Sequence, residues 1–217
     1  MTTLVLVRHG RSRANADGVL AGRADGVELD DVGRQQAQRL GELLSGAGIA
    51  AAYRSPILRC AQTAEELGFP EAVVVDGLSE CDYGEWTNRK LADLTSEPLW
   101  RTVQDSPSQV RFPGGESMLE MRDRCVSAVA DIVSRHPGET VLLVSHGDPI
   151  KAILSDALGQ RFDDFQRLNV APASVSVVSH APESAPFVVC VNANTDVAAL
   201  LAPRQAPTVG GGDTPEK

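Results

Sequence analysis

An α/β sandwich is the fold class that this sequence predicts, and two observations carry the prediction. Short apolar runs rich in β-branched residues alternate with stretches of helical spacing through most of the chain. Two of those runs, residues 4–7 and 141–144, end in the same kind of corner: Arg8, His9, Gly10 after the first and Ser145, His146, Gly147 after the second. A continuous apolar run bounded by glycine reads as a strand buried on both faces. In open α/β sheets ligands collect in the crevice beyond the C-terminal strand ends. If the two strands lie side by side and parallel, His9 and His146 face each other across a pocket that already holds Arg8.

The remaining elements follow in order. Residues 11–28 lack periodicity and carry Gly18, Gly22 and Gly26, as expected of a loop over the end of the first strand. Asp30 or Asp31 caps a helix in which Val32, Ala37, Leu40 and Leu44 keep near-helical spacing until Gly46 and Gly48 stop it. Residues 49–53 form a second strand. Ser55 and Pro56 read as a helix start, the hydroxyl capping free N–H groups and the proline pre-set for the first helical position. That helix runs to about Leu67, stops at Gly68 and carries Arg59 in its first turn. Residues 73–75 make a third strand, followed by a loop over 78–86. Residues 88–105 are helical but broken at Pro98, and 107–115 are a loop. Ser117 with Glu120 forms a capping box that opens a helix to about Ser134. After the His146 strand, Asp148 and Pro149 begin a helix that ends near Gly159, and strands follow at 173–179 and 187–192. The tail from Pro203 is rich in Pro, Gly and Thr and is expected to be disordered, leaving one domain over residues 1–202.

At 217 residues the chain can bury a sizeable core. A net charge of −9 and a pI near 4.9 argue against nucleic acid as a partner. Against that acidic background Arg8, Arg11, Arg13 and Arg23 cluster around the first strand's exit and suggest a local anion site. Cys60, Cys81, Cys125 and Cys190 are far apart, without a C-x-x-C pair, and read as free thiols of a reducing compartment rather than a zinc cluster. The N-terminus opens directly on a strand without a signal-peptide pattern, and no apolar stretch approaches the roughly 20 residues of a membrane span. The expected setting is soluble and cytoplasmic, with no membrane partner. A monomer and a homodimer are both compatible with the sequence.

A site for phosphoryl groups needs fixed cationic donors, and arginine supplies them best because its fork matches phosphate and it does not deprotonate. Arg8 beside His9, with Arg59 at a helix start, would make such a clamp. A histidine attacks phosphorus only through an unprotonated ring nitrogen, so its other N–H must be held, and neighbouring cations disfavour the imidazolium. The leaving alcohol needs a proton donor, for which Glu80 is the candidate, in a loop where Tyr83 and Trp86 could exclude water. A zinc site of His9, His146 and Glu80 uses a familiar ligand set, but two adjacent arginines oppose a cation there. His136 and His180 read as surface residues, and Trp86 and Trp100 as packing.

Taken together, Arg8-His9-Gly10-Arg11-Ser12 with Asn15, Gly33 with Gln36 and Ala37, Ser55-Pro56 with Arg59, Gln62-Thr63-Ala64, the Glu80 loop, Pro113-Gly114-Gly115-Glu116-Ser117, and Ser145-His146-Gly147 resemble the histidine phosphatase superfamily, the family of cofactor-dependent phosphoglycerate mutases and related phosphatases. The matches run in the family's order from residue 4 to about 150. The resemblance implies a three-layer α/β/α sandwich with a mostly parallel sheet, a phosphohistidine intermediate on His9 and no metal. It implies that Arg8, Arg59 and His146 hold the transferring group, that Glu80 protonates the leaving oxygen, and that Asn15, Arg11, Ser12, Gly22 and Gly147 serve substrate binding. Arg11 stands where the family more often has Gln or Glu. Cys81 follows Glu80 where the mutases resemble one another in a Glu-Arg pair, and the segment to Pro113 is short. These departures favour a phosphatase acting on a small phosphorylated metabolite. The alternatives are a mutase, which would need a bisphosphate primer, and a catalytically silent binder of phosphorylated ligands. Arg89, Lys90, Arg101 and Arg111 are the basic residues that speak for the mutase alternative; substrate choice would lie in loops 11–28 and 81–112, whose arginines suggest a second anionic group on the substrate, such as a carboxylate or another phosphate.

Overall fold

The computed structural model describes residues 1–193. Six strands, β1 (Thr2–Arg8), β2 (Ile49–Arg54), β3 (Val73–Val74), β4 (Thr140–Ser145), β5 (Val175–His180) and β6 (Phe187–Ala193), form one sheet in the order β3-β2-β4-β1-β5-β6. The pairs β1/β4, β2/β4 and β2/β3 are parallel, and β5 and β6 extend the sheet antiparallel beyond β1. The helices are α1 (Arg13–Ala16), α2 (Asp31–Leu44), α3 (Leu58–Glu66), α4 (Leu91–Leu94), α5 (Pro98–Asp105), α6 (Met118–Arg135) and α7 (Gly147–Ala157).

Strand alternation divides the interior in two, because successive side chains point to opposite faces. Leu4, Leu6, Val141 and Leu143 enter a core shared with Met121, Cys125, Val129 and Ile132 of α6 and Ile150, Ile153 and Leu154 of α7. Val5, Val7, Leu142 and Val144 enter the opposite core with Leu40 of α2 and Cys60 and Ala64 of α3. Both faces of the central strands are therefore covered, which is why they read as unbroken apolar runs, and the result is the expected three-layer sandwich. The register pairs Arg8 with Ser145, so the corners after β1 and β4 lie next to each other at the C-terminal edge of the parallel strands.

Local signals explain most element ends. Asp30, not Asp31, is the N-cap of α2, its Oδ1 accepting the Gly33 N–H at 2.7 Å. Ser117 and Glu120 form the capping box of α6, and Pro98 occupies the first turn of α5. Gly10 and Gly33 touch: a Cβ on Gly10 would sit 2.4 Å from the Gly33 carbonyl oxygen. That closeness presses the start of α2 onto the His9 corner. Trp86 is buried and stacks on Trp100, as packing residues should.

Several expectations are corrected. The loop after β1 contains the single turn α1, closed by a Ser12–Asn15 capping box. Helix α3 begins at Leu58 with Ile57 as N-cap and no side-chain cap; the Ser55 hydroxyl accepts the Ile57 N–H at 3.3 Å just ahead of the helix and also lies 2.8 Å from His146 Nε2. Helix α7 starts at Gly147, one residue before the expected Asp148. His136 is not simply a surface residue, since its Nε2 lies 2.7 Å from the Tyr53 hydroxyl and its Nδ1 2.7 Å from Glu139. The expected tail from Pro203, and the end of the 1–202 domain, lie outside the described residues.

Candidate active site

The adjacent ends of β1 and β4 bring His9 and His146 together with ring centroids 5.2 Å apart. The His9 Nδ1 lies 2.7 Å from the Gly10 carbonyl oxygen, which can only accept, so Nδ1 carries the proton and Nε2 is bare. Arg59 confirms this polarity by donating from Nε to His9 Nε2 at 3.0 Å. Burial, then the charges of Arg59 and Arg8, hold His9 well below the ordinary histidine pKa of 6.5. His146 is held well below it too, by burial and then by Arg59. The His9 corner is fastened from α3 and α2, with Thr63 Oγ1 accepting the Gly10 N–H at 3.1 Å and Gln36 Oε1 accepting the Arg11 N–H at 3.0 Å.

Arg59 spans the site. Its Nη2 donates to the Gly22 carbonyl at 2.8 Å and to His146 Nδ1 at 3.0 Å, while its buried Nη1 has no protein acceptor. A buried guanidinium nitrogen left over in a cationic corner suits an anion. Arg8 is buried beside it and donates from Nη1 to the Val170 carbonyl at 2.7 Å. Cys60 lies beneath, its Sγ 3.4 Å from His146 Nε2, and burial pushes its thiol up to about 12. Burial likewise raises the Cys125 thiol to about 12 and the Cys81 thiol well above its usual value.

Glu80 enters from the loop after β3 and is buried, its Oε1 accepting the Cys81 N–H at 2.9 Å. Burial, then the nearby Asp148 charge, raises its pKa to about 7, although Arg59, the Cys81 N–H and Arg8 pull the other way. The loop is clamped through its backbone. Arg124 of α6 donates to the carbonyls of Gly77, Ser79 and Glu80, Arg23 donates to the Glu80 carbonyl at 2.8 Å, and both arginines are tied to Glu116.

A cleft of about 310 Å³ opens over this floor, lined by His9, Ser12, Asn15, Gly22, Arg59, Glu80 and Tyr83, with Val19, Leu20, Ala21 and Leu91 toward its apolar side. Asn15 Oδ1 is occupied by Ser12, which leaves the amide nitrogen as the donor it can offer a ligand. Of the other residues singled out in the sequence, Arg8 and His146 are buried behind His9, and Gly147 is buried as the first residue of α7, off the cleft lining. Arg11 is drawn away by Asp30, 2.7 Å from its Nε. Arg89 pairs with Glu97, Arg101 with Asp105 and Arg111 with Glu120, so the basic rim expected to take a second anion is largely engaged by carboxylates. Arg23 braces the Glu80 loop instead of facing a ligand. Sequence reasoning missed Ser55 on His146, 91 residues apart, the bond from the Tyr83 hydroxyl to Asp148, 65 residues apart, and the clamp in which Arg124, paired with Glu116, reaches the Glu80 carbonyl 44 residues away.

A three-layer sandwich with two histidines at the ends of adjacent parallel strands is of the phosphoglycerate mutase-like class. The chain belongs to the histidine phosphatase superfamily (branch 1), whose family model matches residues 4–194. It is 32% identical to Phosphoserine phosphatase 1 of Hydrogenobacter thermophilus, over 82% of this chain and 86% of that one. It is also 32% identical to the protein named "Probable phosphoglycerate mutase GpmB" in Salmonella paratyphi B, over 83% of this chain and 86% of the other. Among solved structures, the mycobacterial glucosyl-3-phosphoglycerate phosphatase in complex with VO3 superimposes with a TM-score of 0.80 at 26% identity, covering 88% of this chain and 99% of that chain. The chain is thus an enzyme of the hydrolase class, a histidine phosphatase. Among the described residues no helix is long and apolar enough to cross a membrane.

Proposed function

We propose that the chain hydrolyses a small phosphomonoester through a phosphohistidine on His9, with no metal or other cofactor. The observation that carries this is the His9 tautomer: Nδ1–H is anchored on the Gly10 carbonyl, and bare Nε2 faces a cleft shared with Arg59 and Glu80. Nε2 attacks phosphorus while Arg8, Arg59 and His146 hold the equatorial oxygens, and the Asn15 amide adds a donor at the mouth. The bond to the leaving oxygen breaks as Glu80 gives it a proton. The resulting Glu80 carboxylate then takes a proton from water, whose oxygen attacks the phosphohistidine, releasing phosphate and restoring neutral His9.

Relatives named for phosphoserine and glucosyl-3-phosphoglycerate support a small phosphorylated metabolite as substrate. A mutase would have to hold a bisphosphate primer, and the carboxylate-engaged arginines of the rim favour hydrolysis of a single phosphate over that reaction. The test is phosphate release across a panel of phosphomonoesters in chelator, including phosphoserine, 3-phosphoglycerate and sugar phosphates, with His9→Ala as control. Release that vanishes in the variant is the expected result. Release that survives it refutes the histidine mechanism, and loss of activity in chelator refutes metal independence.

A further inference from the structure

A second carboxylate lies buried behind the Glu80 loop, and its surroundings differ from those of Glu80. Asp148 sits in the first turn of α7, where the helix N-terminus favours an anion. Its Oδ2 accepts the Tyr83 hydroxyl at 2.8 Å and its Oδ1 lies 3.3 Å from Lys151 Nζ. Lys151 is itself fixed, donating to Gln166 Oε1 at 2.9 Å and lying 4.8 Å from the centroid of the Phe165 ring. The Glu80 carboxyl, by contrast, is met by the backbone N–H of its neighbour Cys81. Tyr83 connects the two groups, since it follows Glu80 in the same loop, lines the cleft and ends on Asp148. Ser145 Oγ donates to the Leu78 carbonyl at 2.7 Å, which seats this loop on the strand end that leads into α7.

We propose that Asp148 is a positioning residue that keeps the catalytic proton on Glu80, its own carboxyl group being fixed in place by Tyr83 and Lys151. A second buried carboxyl group close to Glu80 makes a charge on Glu80 costly. The groups acting on Glu80 come from every surrounding element. Arg59 of α3 and Arg8 of β1 favour its ionised form, and Asp148 of α7 opposes them and is the largest influence after burial. Cys60 of α3 and Cys125 of α6 also face it, as thiols raised to about 12. Arg23 and Arg124 bind its backbone carbonyl. This inference rests on Glu80 being the general acid of the proposed reaction.

The experiment compares pH profiles of kcat/KM, which ends at phosphoryl transfer and leaves out the later hydrolysis of the phosphohistidine, for phenyl phosphate, whose leaving group needs a proton, and p-nitrophenyl phosphate, whose leaving group does not. Asp148→Asn keeps the size and an acceptor for Tyr83 but removes the charge, and Asp148→Asn combined with Lys151→Met also removes the stranded ammonium. In either variant the high-pH limb for phenyl phosphate moves down by about one pH unit, a loss of about tenfold at pH 8, while p-nitrophenyl phosphate is hydrolysed as before. An unmoved limb, or equal losses on both esters, overturns the proposal. Glu80→Gln separates the two levels: if it spares phenyl phosphate turnover, the acid role of Glu80 falls, whereas if it abolishes the limb and the Asp148 variants do not move it, only this inference falls. In carboxyl 13C spectra the Glu80 group must still be protonated at pH 6 in the unaltered protein and its titration must move down in Asp148→Asn, and a midpoint that does not move overturns the proposal without any activity measurement.

Discussion

Replacing Glu80 by glutamine is expected to stabilise the fold, and only at neutral and higher pH. The side chain is buried and its pKa rises from 4.5 to about 7 on folding. The folded protein therefore holds a proton between those values that the unfolded chain has given up. Stability assignable to Glu80 is intact below pH 4.5, declines as the pH rises through that window, and levels off above 7. At 1.36 kcal/mol for each pH unit crossed, the decline amounts to about 3 kcal/mol. Glutamine has nearly the same shape, can still accept the Cys81 N–H and never ionises, so it escapes the decline. Urea unfolding of both proteins at pH 5 and pH 8 measures the difference, because other groups, such as the two histidines, titrate in both and largely cancel. The gap in unfolding free energy should widen by about 2–3 kcal/mol from pH 5 to pH 8 in favour of the variant. A gap that stays constant, or that turns against the variant at pH 8, would refute the protonated, buried state of Glu80. Turnover of esters with poor leaving groups should fall in the same variant, the usual opposition between stability and a strained functional group.

Other perturbations give equally direct readings. His9→Ala should lower phosphate release by roughly a thousandfold or more and abolish the phosphoprotein trapped by denaturation at alkaline pH, where phosphohistidine survives, and retention of a tenth of the activity would exclude His9 as the nucleophile. Because His9 and His146 are both held well below 6.5, neither ring should titrate between pH 7 and pH 6 in NMR spectra, and a midpoint near 6.5 for either would contradict their neutral state. Arg124→Met takes a donor group from Glu116 and from the carbonyls of Gly77, Ser79 and Glu80, Arg23 remaining on Glu116 and Glu80, and should cost about 2–3 kcal/mol in denaturant unfolding. Gly22→Ala meets a positive φ of 51° and places a Cβ 2.9 Å from the Tyr83 ring, so a stability loss of about 1–2 kcal/mol with reduced kcat/KM should appear.

What could be read from the sequence was whatever depends on neighbours along the chain. The two strand-histidine-glycine corners, the Ser117–Glu120 capping box and the break at Pro98 are all local, and the structure contains each. The short turn α1 left no periodicity to detect, although Ser12 and Asn15 carry the spacing of a capping pair. Ser55 shows the opposite difficulty. Its position before a proline is a valid helix-start signal, and its hydroxyl does accept the Ile57 N–H, but the helix itself begins at Leu58 and nothing local signals that the same hydroxyl meets His146, 91 residues away. The basic cluster was legible as charge and not as destination, since Arg11 and Arg23 are claimed by Asp30 and Glu116, 19 and 93 residues along the chain. Asp148 is joined to Tyr83 across 65 residues, a contact that no local pattern announces.

The thiols around the site bear on how this enzyme meets oxidants. A cysteine is attacked by peroxide as its thiolate and in proportion to its exposure. Cys60, Cys81 and Cys125 are buried and held in the thiol form far above neutral pH, even though Cys60 touches His146 and Cys81 follows Glu80. The proposed phosphoryl transfer through imidazole, in a floor whose sulfur atoms are chemically silenced, would be insulated from the oxidative inactivation to which a thiolate nucleophile is exposed.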